Sequence, residues 1–441
     1  MFKKYHFADS AIFQPFAVCR QAGGCYTGMV IQSTHIYYKI PMHIEHLSLT
    51  NFRNYARLEL SLPQEPIVLY GANAQGKTSI LEAIYYLATS RSPYTTSDRQ
   101  LIHWAVEDEI LPFARLVAEL TTKEAMLQQL EMTLMLDRSN GIPRFKKVIR
   151  VNGVDKRVMD VVGLLSVVLF LPQDLALVEG SPSERRRFMD ETLTQVDRDY
   201  LEAIDTYEKL LPQRNALLKR IAEGQAKPEE LAYWDEQLAQ HGAVIIAGRQ
   251  RFLRELEYEA QRVHSDLTGG LETLTLQYLP SFTPTAEGDG QMSFGVLGLD
   301  LHREMTAEDI APQFVERLKN ERAESIQRGI TLSGPHRDEL RLLINNRDCG
   351  LYGSRGQART AVLALKLAEL TWMKERLGEW PILLLDEVIA ELDKQRRAYL
   401  LERIDGAAQT LMTTTELDIF TESFLKRATV FEVVAGQIAP H

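Results

Sequence analysis

Two short motifs, separated by about 300 residues, constrain the fold most strongly. The first is Gly71-Ala-Asn-Ala-Gln-Gly-Lys-Thr78, a phosphate-binding loop (P-loop). An apolar run precedes it at 66–70, and apolar residues at helical spacing follow it at 79–89. The second motif is a buried-strand pattern, Ile382-Leu-Leu-Leu, that ends in Asp386-Glu387. The pair predicts a mixed α/β fold in which both ends of the chain build one site.

The residue types of the two motifs suit the binding of a nucleoside triphosphate. Backbone N–H groups of a Gly-rich turn and the positive end of the following helix surround a phosphate. We expect Lys77 to neutralise the β and γ phosphates, the Thr78 hydroxyl to ligate Mg²⁺ and Asp386 to hold Mg²⁺ through water. Glu387 is the candidate that orients or deprotonates the attacking water. The predicted nucleotide-binding residues of this segment are Gly71, Ala72, Asn73, Ala74, Gln75, Gly76, Lys77, Thr78 and Ser79.

Composition limits the class of protein. The chain has 441 residues, 45% of them apolar, which is enough for two or three domains with full cores. No apolar run reaches the roughly 18 residues that a membrane span needs, so we expect no membrane crossing. The net charge of -10 does not exclude nucleic acid, because basic residues can be confined to one face. Three cysteines without metal-ligand spacing predict a reducing, cytoplasmic compartment.

The first 41 residues differ in character from the rest. They contain scattered aromatics and no clear periodicity, and Gln14 and Pro15 interrupt the one apolar stretch that could resemble a secretory signal. We therefore expect residues 1–41 to be a poorly ordered extension, or to result from a start codon placed ahead of Met42.

The middle of the chain predicts a pair of long helices. Apolar residues recur at intervals of three and four from Leu193 to Leu211 and every seven residues from Leu231 to Phe252. The polar stretch 223–230 separates them, so an antiparallel hairpin that projects from the core is expected, with a kink at Pro212. Residues 271–310 are rich in Gly, Pro and acidic residues and predict an irregular segment.

A basic hairpin precedes the helical region. Asn152-Gly153 is a typical two-residue turn between short strands. The candidates for DNA contact beside it are Arg144, Lys146, Lys147 and Arg150. A solvated surface ribbon explains the same charges equally well.

A second phosphate-binding element precedes the Asp386 strand by about 30 residues. Ser354-Arg-Gly356-Gln357 stands at the start of a helical pattern, where a hydroxyl, free N–H groups and the helix dipole favour an anion. Since the P-loop already serves the nucleotide of its own chain, we expect Ser354, Gly356 and Gln357 to reach a nucleotide held by a second subunit. A homodimer with two shared ATP sites follows.

These motifs together resemble the RecF family of bacterial recombinational repair ATPases, which is related to SMC proteins and to ABC ATPases. The resemblance extends from Met42 nearly to the end of the chain. It rests on the P-loop, the Asp386-Glu387 strand and five further segments: 51–55 (Asn-Phe-Arg-Asn-Tyr), 180–190 (Gly-Ser-Pro-Ser-Glu-Arg-Arg-Arg-Phe-Met-Asp), 333–338 (Ser-Gly-Pro-His-Arg-Asp), 354–357 and 391–393 (Glu-Leu-Asp).

The resemblance implies further site residues. Gln173 stands where related ATPases place a nucleotide-sensing glutamine, although RecF-like sequences can carry an acid there. Arg53 is expected either to approach the nucleotide or to form a pair on the sheet surface, and Asp393 to lie at the dimer seam. The switch histidine of transporter ATPases is missing, since Thr413-Thr-Thr415 stands in its place, so slow hydrolysis is expected. For His336, a structural or DNA-side role is favoured over that of a catalytic base.

The resemblance also implies an architecture and a function. The fold is an ABC-type, SMC-like P-loop ATPase head with an inserted helical-hairpin arm: residues 42–195 and 313–441 form the head, and 196–312 form the arm. The implied protein is an ATP-gated dimer that uses Mg²⁺, binds single-strand/double-strand DNA junctions and helps RecO and RecR load RecA. The alternatives are a chromosome-organising SMC-like ATPase, a transporter ATPase subunit and an inactive DNA-binding scaffold. The arm is too short for the first, a transporter subunit would normally lack such a helical insertion, and intact Lys77, Asp386 and Glu387 argue against the third.

Overall fold

The computed structural model describes residues 42–121, 127–138, 143–282, 305–404 and 409–441. The predicted extension over residues 1–41 lies outside these ranges, as does residue range 283–304 of the predicted irregular segment. Within the described ranges, no helix is both long and apolar enough to cross a membrane.

The strands of the described residues form three sheets. Their bounds are β1 His43–Phe52, β2 Tyr55–Ser61, β3 Ile67–Tyr70, β4 Phe113–Thr121, β5 Leu127–Asp137, β6 Arg144–Val151, β7 Val154–Lys156, β8 Val167–Phe170, β9 Leu274–Leu279, β10 Glu339–Ile344, β11 Arg347–Asp348, β12 Ile382–Asp386, β13 Thr410–Thr414, β14 Thr429–Val434 and β15 Gln437–Pro440.

Helices flank these sheets and form the hairpin. Their bounds are α1 Lys77–Thr89, α2 Ala176–Glu179, α3 Pro182–Val196, α4 Arg198–Ala222, α5 Leu231–Thr268, α6 Ala307–Asn320, α7 Arg322–Arg328, α8 Cys349–Tyr352, α9 Arg355–Leu377, α10 Val388–Glu391, α11 Lys394–Ile404 and α12 Glu422–Leu425.

The central sheet places the two ends of the chain together. Its strand order is β15-β14-β3-β13-β12-β8, and β3, β13, β12 and β8 run parallel. Parallel strands deliver their carboxyl ends to the same edge of the sheet, where ligands bind in open α/β sheets. Because β13 pairs with β3 on one side and with β12 on the other, the P-loop after Tyr70 and the carboxylate of Asp386 emerge on either side of Thr413.

Alternation along the central strands explains why both faces of this sheet are covered. Leu69 and Leu384 belong to one hydrophobic core, whereas their neighbours Val68, Leu383 and Leu385 belong to another, as expected when successive side chains point to opposite faces. The first core contains α1 and residues of β1, β2, β4 and β5. The second contains residues of α3, α4, α5 and α9. The predicted mixed α/β fold is confirmed.

A six-stranded antiparallel sheet, β2-β1-β4-β5-β6-β7, covers α1. At its edge, β6 and β7 form the predicted hairpin, with Val151 paired to Val154. Asn152 and Gly153 both have positive φ, 51° and 77°, as a two-residue turn of this kind requires.

The predicted helical hairpin is confirmed for α4 and α5, which join through the turn at 223–230. The first predicted helix is divided, however, because α3 ends at Val196 and Asp197 caps the start of α4. Helix α4 continues past Pro212 to Ala222. Contrary to the expectation of a projecting arm, most of α5 packs into the main body: its apolar residues from Leu238 to Leu267 share one core with Leu383 and Leu385 of β12. At the tip, Leu217, Leu218 and Leu231 form a separate small cluster. The proposed division at residues 195 and 312 stays a prediction.

The described part of the segment expected to be irregular, 271–310, contains regular structure in two places. Leu274–Leu279 forms β9, which pairs antiparallel with β10, and α6 begins at Ala307, so the prediction is wrong for 274–279 and 307–310. The alternating burial of β9 explains the error. Three buried apolar residues are enough for a strand that packs against α5. The many Gly and acidic residues around them dominate the composition of the segment, so the composition does not reveal the strand.

A buried ion pair joins the two helices of the hairpin near its tip. Arg214 of α4 and Asp235 of α5 are both fully buried, and Arg214 Nε and Nη2 donate to Asp235 Oδ1 at 2.9 and 2.7 Å. Arg214 Nη1 also donates to Thr331 Oγ1 at 2.9 Å. Since a buried charge is tolerated only when it is paired, this contact ties the hairpin to the segment that follows α7.

We predict that Asp235→Ala lowers the free energy of unfolding by about 3–5 kcal/mol, because it leaves the Arg214 guanidinium buried without its carboxylate. Asp205→Ala is the matched control: Asp205 lies on α4, is 38% exposed and pairs with Lys209, so its loss should cost under about 1 kcal/mol. Urea unfolding followed by circular dichroism measures both. Equal, small shifts of the two midpoints would contradict the prediction.

Candidate nucleotide-binding site

The P-loop has the geometry of a phosphate cradle. It connects the end of β3 to the start of α1, and Gly71 N–H donates to Thr414 O at 3.2 Å. Gly76 has φ +114°, and a Cβ there would lie 2.5 Å from Asn54 Nδ2 and 2.8 Å from Tyr55 Oη, so only glycine fits. Because the first N–H groups of a helix have no carbonyl partner one turn earlier, the start of α1 can bind an anion, although Ser79 N–H donates to Gly76 O at 3.1 Å.

Lys77 is held over the loop. Its Nζ donates to Gly71 O at 2.7 Å and to Ala72 O at 2.9 Å, and its side chain is only 3% exposed. The same Nζ lies 3.3 Å from Glu387 Oε1. A phosphate entering the loop can replace these contacts with charge-assisted hydrogen bonds, which are stronger than bonds to neutral carbonyls.

Asp386 meets the P-loop helix at the end of β12. Thr78 Oγ1 donates to Asp386 Oδ1 and Oδ2 at 2.9 and 3.1 Å, across 308 residues of sequence. Two further hydroxyls donate to the same carboxylate: Thr413 to Oδ1 at 2.7 Å and Tyr94 to Oδ2 at 2.7 Å. A carboxylate beside a hydroxyl is the hard oxygen donor set that suits Mg²⁺, so the residues fit this ion.

Glu387 has an unusual backbone conformation. Its φ of 55° lies in the left-handed region, and its N–H donates to Thr413 Oγ1 at 2.9 Å. The side chain is 37% exposed and faces Lys77. The turn thus directs Asp386 towards Thr78 and Glu387 towards the open side of the loop.

Arg53 approaches the P-loop from the turn between β1 and β2. It forms a bidentate ion pair with Glu82 of α1, Nε to Oε2 at 2.7 Å and Nη2 to Oε1 at 2.6 Å. Glu82 is 3% exposed, whereas Arg53 is 24% exposed. Both expected roles of Arg53 are compatible with this geometry, because the arginine pairs internally and also lines the cleft.

An open cleft of about 430 Å³, here called the P-loop cleft, is formed by these elements. It is lined by Arg53, Asn54, Ala74, Gln75, Gly76, Lys77, Thr78, Ser79, Gln100, Ile102, Trp104 and Glu387. Trp104 is 76% exposed and stacks on His103, with ring centroids 5.4 Å apart. Sequence reasoning missed Trp104, although an exposed tryptophan beside a phosphate loop offers a surface for a base.

The second predicted phosphate-binding element, at residues 354–357, stands apart from this cleft. Ser354 caps α9: its Oγ accepts from Gln357 N–H at 3.2 Å, and its N–H donates to Gln357 Oε1 at 2.8 Å. Ser354 and Gly356 are exposed, and neither they nor Gln357 line the P-loop cleft. Asp393 likewise caps a helix, accepting from Arg396 N–H at 2.9 Å, which lowers the pKa of its carboxyl.

Comparison with known proteins agrees with this geometry. Residues 43–437 match the family described as RecF/RecN/SMC N terminal domain. The DNA replication and repair protein RecF of Herpetosiphon aurantiacus is 42% identical over 410 residues, which cover 90% of this chain and 100% of that protein. The chain belongs to the RecF family of DNA replication and repair proteins. This result confirms the predicted family over the chromosome-organising alternative.

Further relatives support the assignment to the RecF family. RecF of Bacillus pumilus is 37% identical over 399 residues, covering 90% of this chain and 100% of that protein. The solved structure described as that of the recombination mediator protein RecF-ATP in the RecFOR pathway has a TM-score of 0.78 at 28% identity and covers 92% of this chain and 100% of that one. A second, described as RecF-ATPrS, has a TM-score of 0.77 at 30% identity, covering 91% of this chain and 99% of that one.

In this RecF-family chain, Gln173 lies away from the P-loop cleft. It lines a separate cavity of about 310 Å³ with Asp174, Lys366 and Glu369, among other residues. Burial raises the pKa of Asp174 to about 6, although nearby Lys366 opposes the shift. Gln173 is thus not among the residues that line the P-loop cleft, and its contact with a nucleotide stays a prediction.

The four candidate DNA contacts of the basic hairpin fall into two pairs, one with partners within the protein and one exposed. Lys147 points inwards: its Nζ lies 2.8 Å from Asp98 Oδ2 and donates to Ser90 O at 2.9 Å. Arg150 Nε donates to Asp155 Oδ1 at 2.8 Å. Arg144 and Lys146 are exposed. The structure thus gives two of the four candidate DNA contacts internal partners.

His336 lies outside the cleft, in agreement with the structural role favoured from the sequence. Its Nδ1 is 2.7 Å from Tyr207 Oη, and burial lowers the pKa of the imidazole to about 4. The neighbouring Asp338 is fully buried and accepts from Arg249 Nη1 at 3.0 Å, so this segment anchors α5.

We predict that Arg53→Ala lowers the free energy of unfolding by about 3–5 kcal/mol in the absence of nucleotide, because Glu82 then stays buried and charged. Adding Glu82→Gln should restore most of this loss, since a neutral amide can still accept from Ser92. Thermal unfolding of the two variants measures the stability change. A double variant as unstable as the single one would contradict the structural role of the pair.

Proposed function

We propose that this protein binds ATP with Mg²⁺ in the P-loop cleft and hydrolyses it slowly within an ATP-dependent homodimer that binds DNA. One observation carries the proposal: Thr78 contacts Asp386, and Lys77 contacts Glu387, although each pair is separated by about 300 residues of sequence. An isolated P-loop pattern or an isolated Asp-Glu pair has many explanations, whereas their contact at one cleft has few.

Each residue has a distinct chemical task in this proposal. Lys77 would exchange the carbonyls of Gly71 and Ala72 for the β and γ phosphates. Thr78 and Asp386 would hold Mg²⁺, which neutralises charge on the phosphate oxygens. Release of Lys77 frees Glu387, whose carboxylate then orients the attacking water and accepts its proton.

Slow turnover is consistent with the neighbourhood of Thr413. In place of a histidine that could contact the γ-phosphate, the chain has a hydroxyl that donates to Asp386 and accepts from Glu387 N–H. This hydroxyl is occupied in orienting the acidic pair, so we infer that it contributes little to stabilising charge that develops on the phosphate.

A nucleotide site shared between two copies of the chain would explain why Ser354 and Gly356 are exposed. The helix α9 begins with Ser354, whose position leaves N–H groups open to an anion, and the P-loop of the same chain lies elsewhere. We infer that Ser354, Gly356 and Gln357 bind the nucleotide of a second copy and that Asp393 lies at the seam. ATP would then favour the closed dimer by its contacts with both copies.

The biological setting comes from the relatives. Solved neighbours are described as recombination mediators in the RecFOR pathway. We propose that this protein acts in the cytoplasm with RecO and RecR to help load RecA at single-strand/double-strand DNA junctions, and that Arg144 and Lys146 contribute to DNA binding.

We predict that Lys77→Met abolishes ATP-dependent dimerisation, because the phosphates lose their cation, and that Glu387→Gln traps the ATP-bound dimer, because water is no longer activated. Sedimentation velocity with and without ATP measures both. Lys209→Met and Glu202→Gln, at exposed positions of α4, are matched controls and should behave as the parent protein. If neither Lys77→Met nor Glu387→Gln altered sedimentation with ATP, the shared-site proposal would fail.

We predict that replacing Arg144 and Lys146 together with alanine weakens binding to gapped DNA. The plot of log binding constant against log salt concentration, whose slope is negative, should become less steep by about 2, one counterion for each lost phosphate contact. The control replaces Arg57 and Arg328, which are 79% and 60% exposed, and changes net charge equally. Fluorescence anisotropy over a salt series measures the slope. Equal slopes for the two double variants would rule out a specific contact by the hairpin.

A further inference from the structure

Tyr94 makes a contact with Asp386 that the roles assigned so far leave unexplained. It belongs neither to the P-loop nor to β12, and it lies beyond the end of α1. Its hydroxyl nevertheless donates to Asp386 Oδ2 at 2.7 Å.

The loop that carries Tyr94 is held in place by its own hydrogen bonds. Ser92 Oγ accepts from Tyr94 N–H at 3.0 Å and from Thr95 N–H at 3.2 Å, and it donates to Glu82 Oε1 at 2.6 Å. From α3, Arg187 Nη2 donates to Ser92 O at 3.2 Å. The backbone that carries Tyr94 is therefore held by contacts other than the one to Asp386.

The three hydroxyls around Asp386 differ in what they can do when a metal ion arrives. Thr78 can offer an oxygen lone pair to the ion while its O–H still donates to the carboxylate, because a hydroxyl has one donor and two acceptor lone pairs. Thr413 has no such second task and holds Oδ1. Among the described donors to Oδ2, Tyr94 makes the shorter contact, 2.7 Å against 3.1 Å for Thr78.

We propose that Tyr94 is a positioning residue that holds the Asp386 carboxylate in the orientation required for the Mg²⁺ ion of the nucleotide site. The proposal rests on the nucleotide site of the proposed function. A carboxylate fixed through both oxygens cannot rotate about its Cβ–Cγ bond without losing a hydrogen bond. Outer partners of metal ligands act in this way, and their removal typically lowers metal affinity by about 10–100-fold.

The test is Tyr94→Phe in the full chain, which removes one oxygen and preserves the ring. Binding of a fluorescent N-methylanthraniloyl ATP is measured first in EDTA and then during a Mg²⁺ titration. The variant should need at least about 10-fold more Mg²⁺ for half-maximal response, because Oδ2 of Asp386 loses the shorter of its two hydrogen bonds. Its affinity for the nucleotide in EDTA should stay within about twofold of the parent, since no phosphate contact changes.

Tyr207→Phe is the matched control. Tyr207 is buried, whereas Tyr94 is partly buried; its hydroxyl likewise contacts a polar side chain, but that side chain is His336, outside the P-loop cleft. This control should need the same Mg²⁺ concentration as the parent for half-maximal response. The melting temperature of each protein is measured alongside. A Tyr94→Phe variant with the parent's Mg²⁺ requirement, or a lower one, overturns the proposal. If the parent itself fails to bind the nucleotide, the proposed function is at fault.

Discussion

The contact between Thr78 and Asp386 is the interaction on which the rest of the structure depends. It joins residues 308 positions apart, and it forms because β13 pairs in parallel with both β3 and β12. Between the two motifs the chain leaves this sheet and returns to it as β8 before it reaches β12. The antiparallel sheet shares a hydrophobic core with one face of the central sheet, and the helical hairpin and the β9–β10 pair share a core with the other face.

The parts of the site that could be predicted share a local cause. A P-loop needs glycine at Gly76 because of its φ and the close approach of Asn54, and such a requirement leaves a readable pattern. Asp386 was predictable because a buried parallel strand is a continuous apolar run with a defined end. Tyr94 and Trp104 were not predictable: they lie in aperiodic segments, and their proximity to the site arises from tertiary packing alone.

The same limit explains the errors in the larger architecture. A repeat of apolar residues every seven positions reveals one buried stripe of α5, which the sequence predicts to pack on α4. The structure buries further small residues of α5, among them Ala239, Gly242 and Ala243, against other neighbours, and composition alone does not distinguish these from solvent-facing positions. Similarly, four basic residues on a hairpin look equivalent in sequence, whereas Asp98 and Asp155 pair with Lys147 and Arg150.

The backbone of Glu387 has a consequence for the evolution of this protein. A side chain in the left-handed region costs about 1–2 kcal/mol relative to glycine, and the chain accepts this strain at the position that faces the cleft. Selection for stability alone would favour glycine there. In the proposed mechanism the Glu387 carboxylate activates water, so stability and activity would oppose each other at this residue, as is typical where strain is concentrated at a functional site.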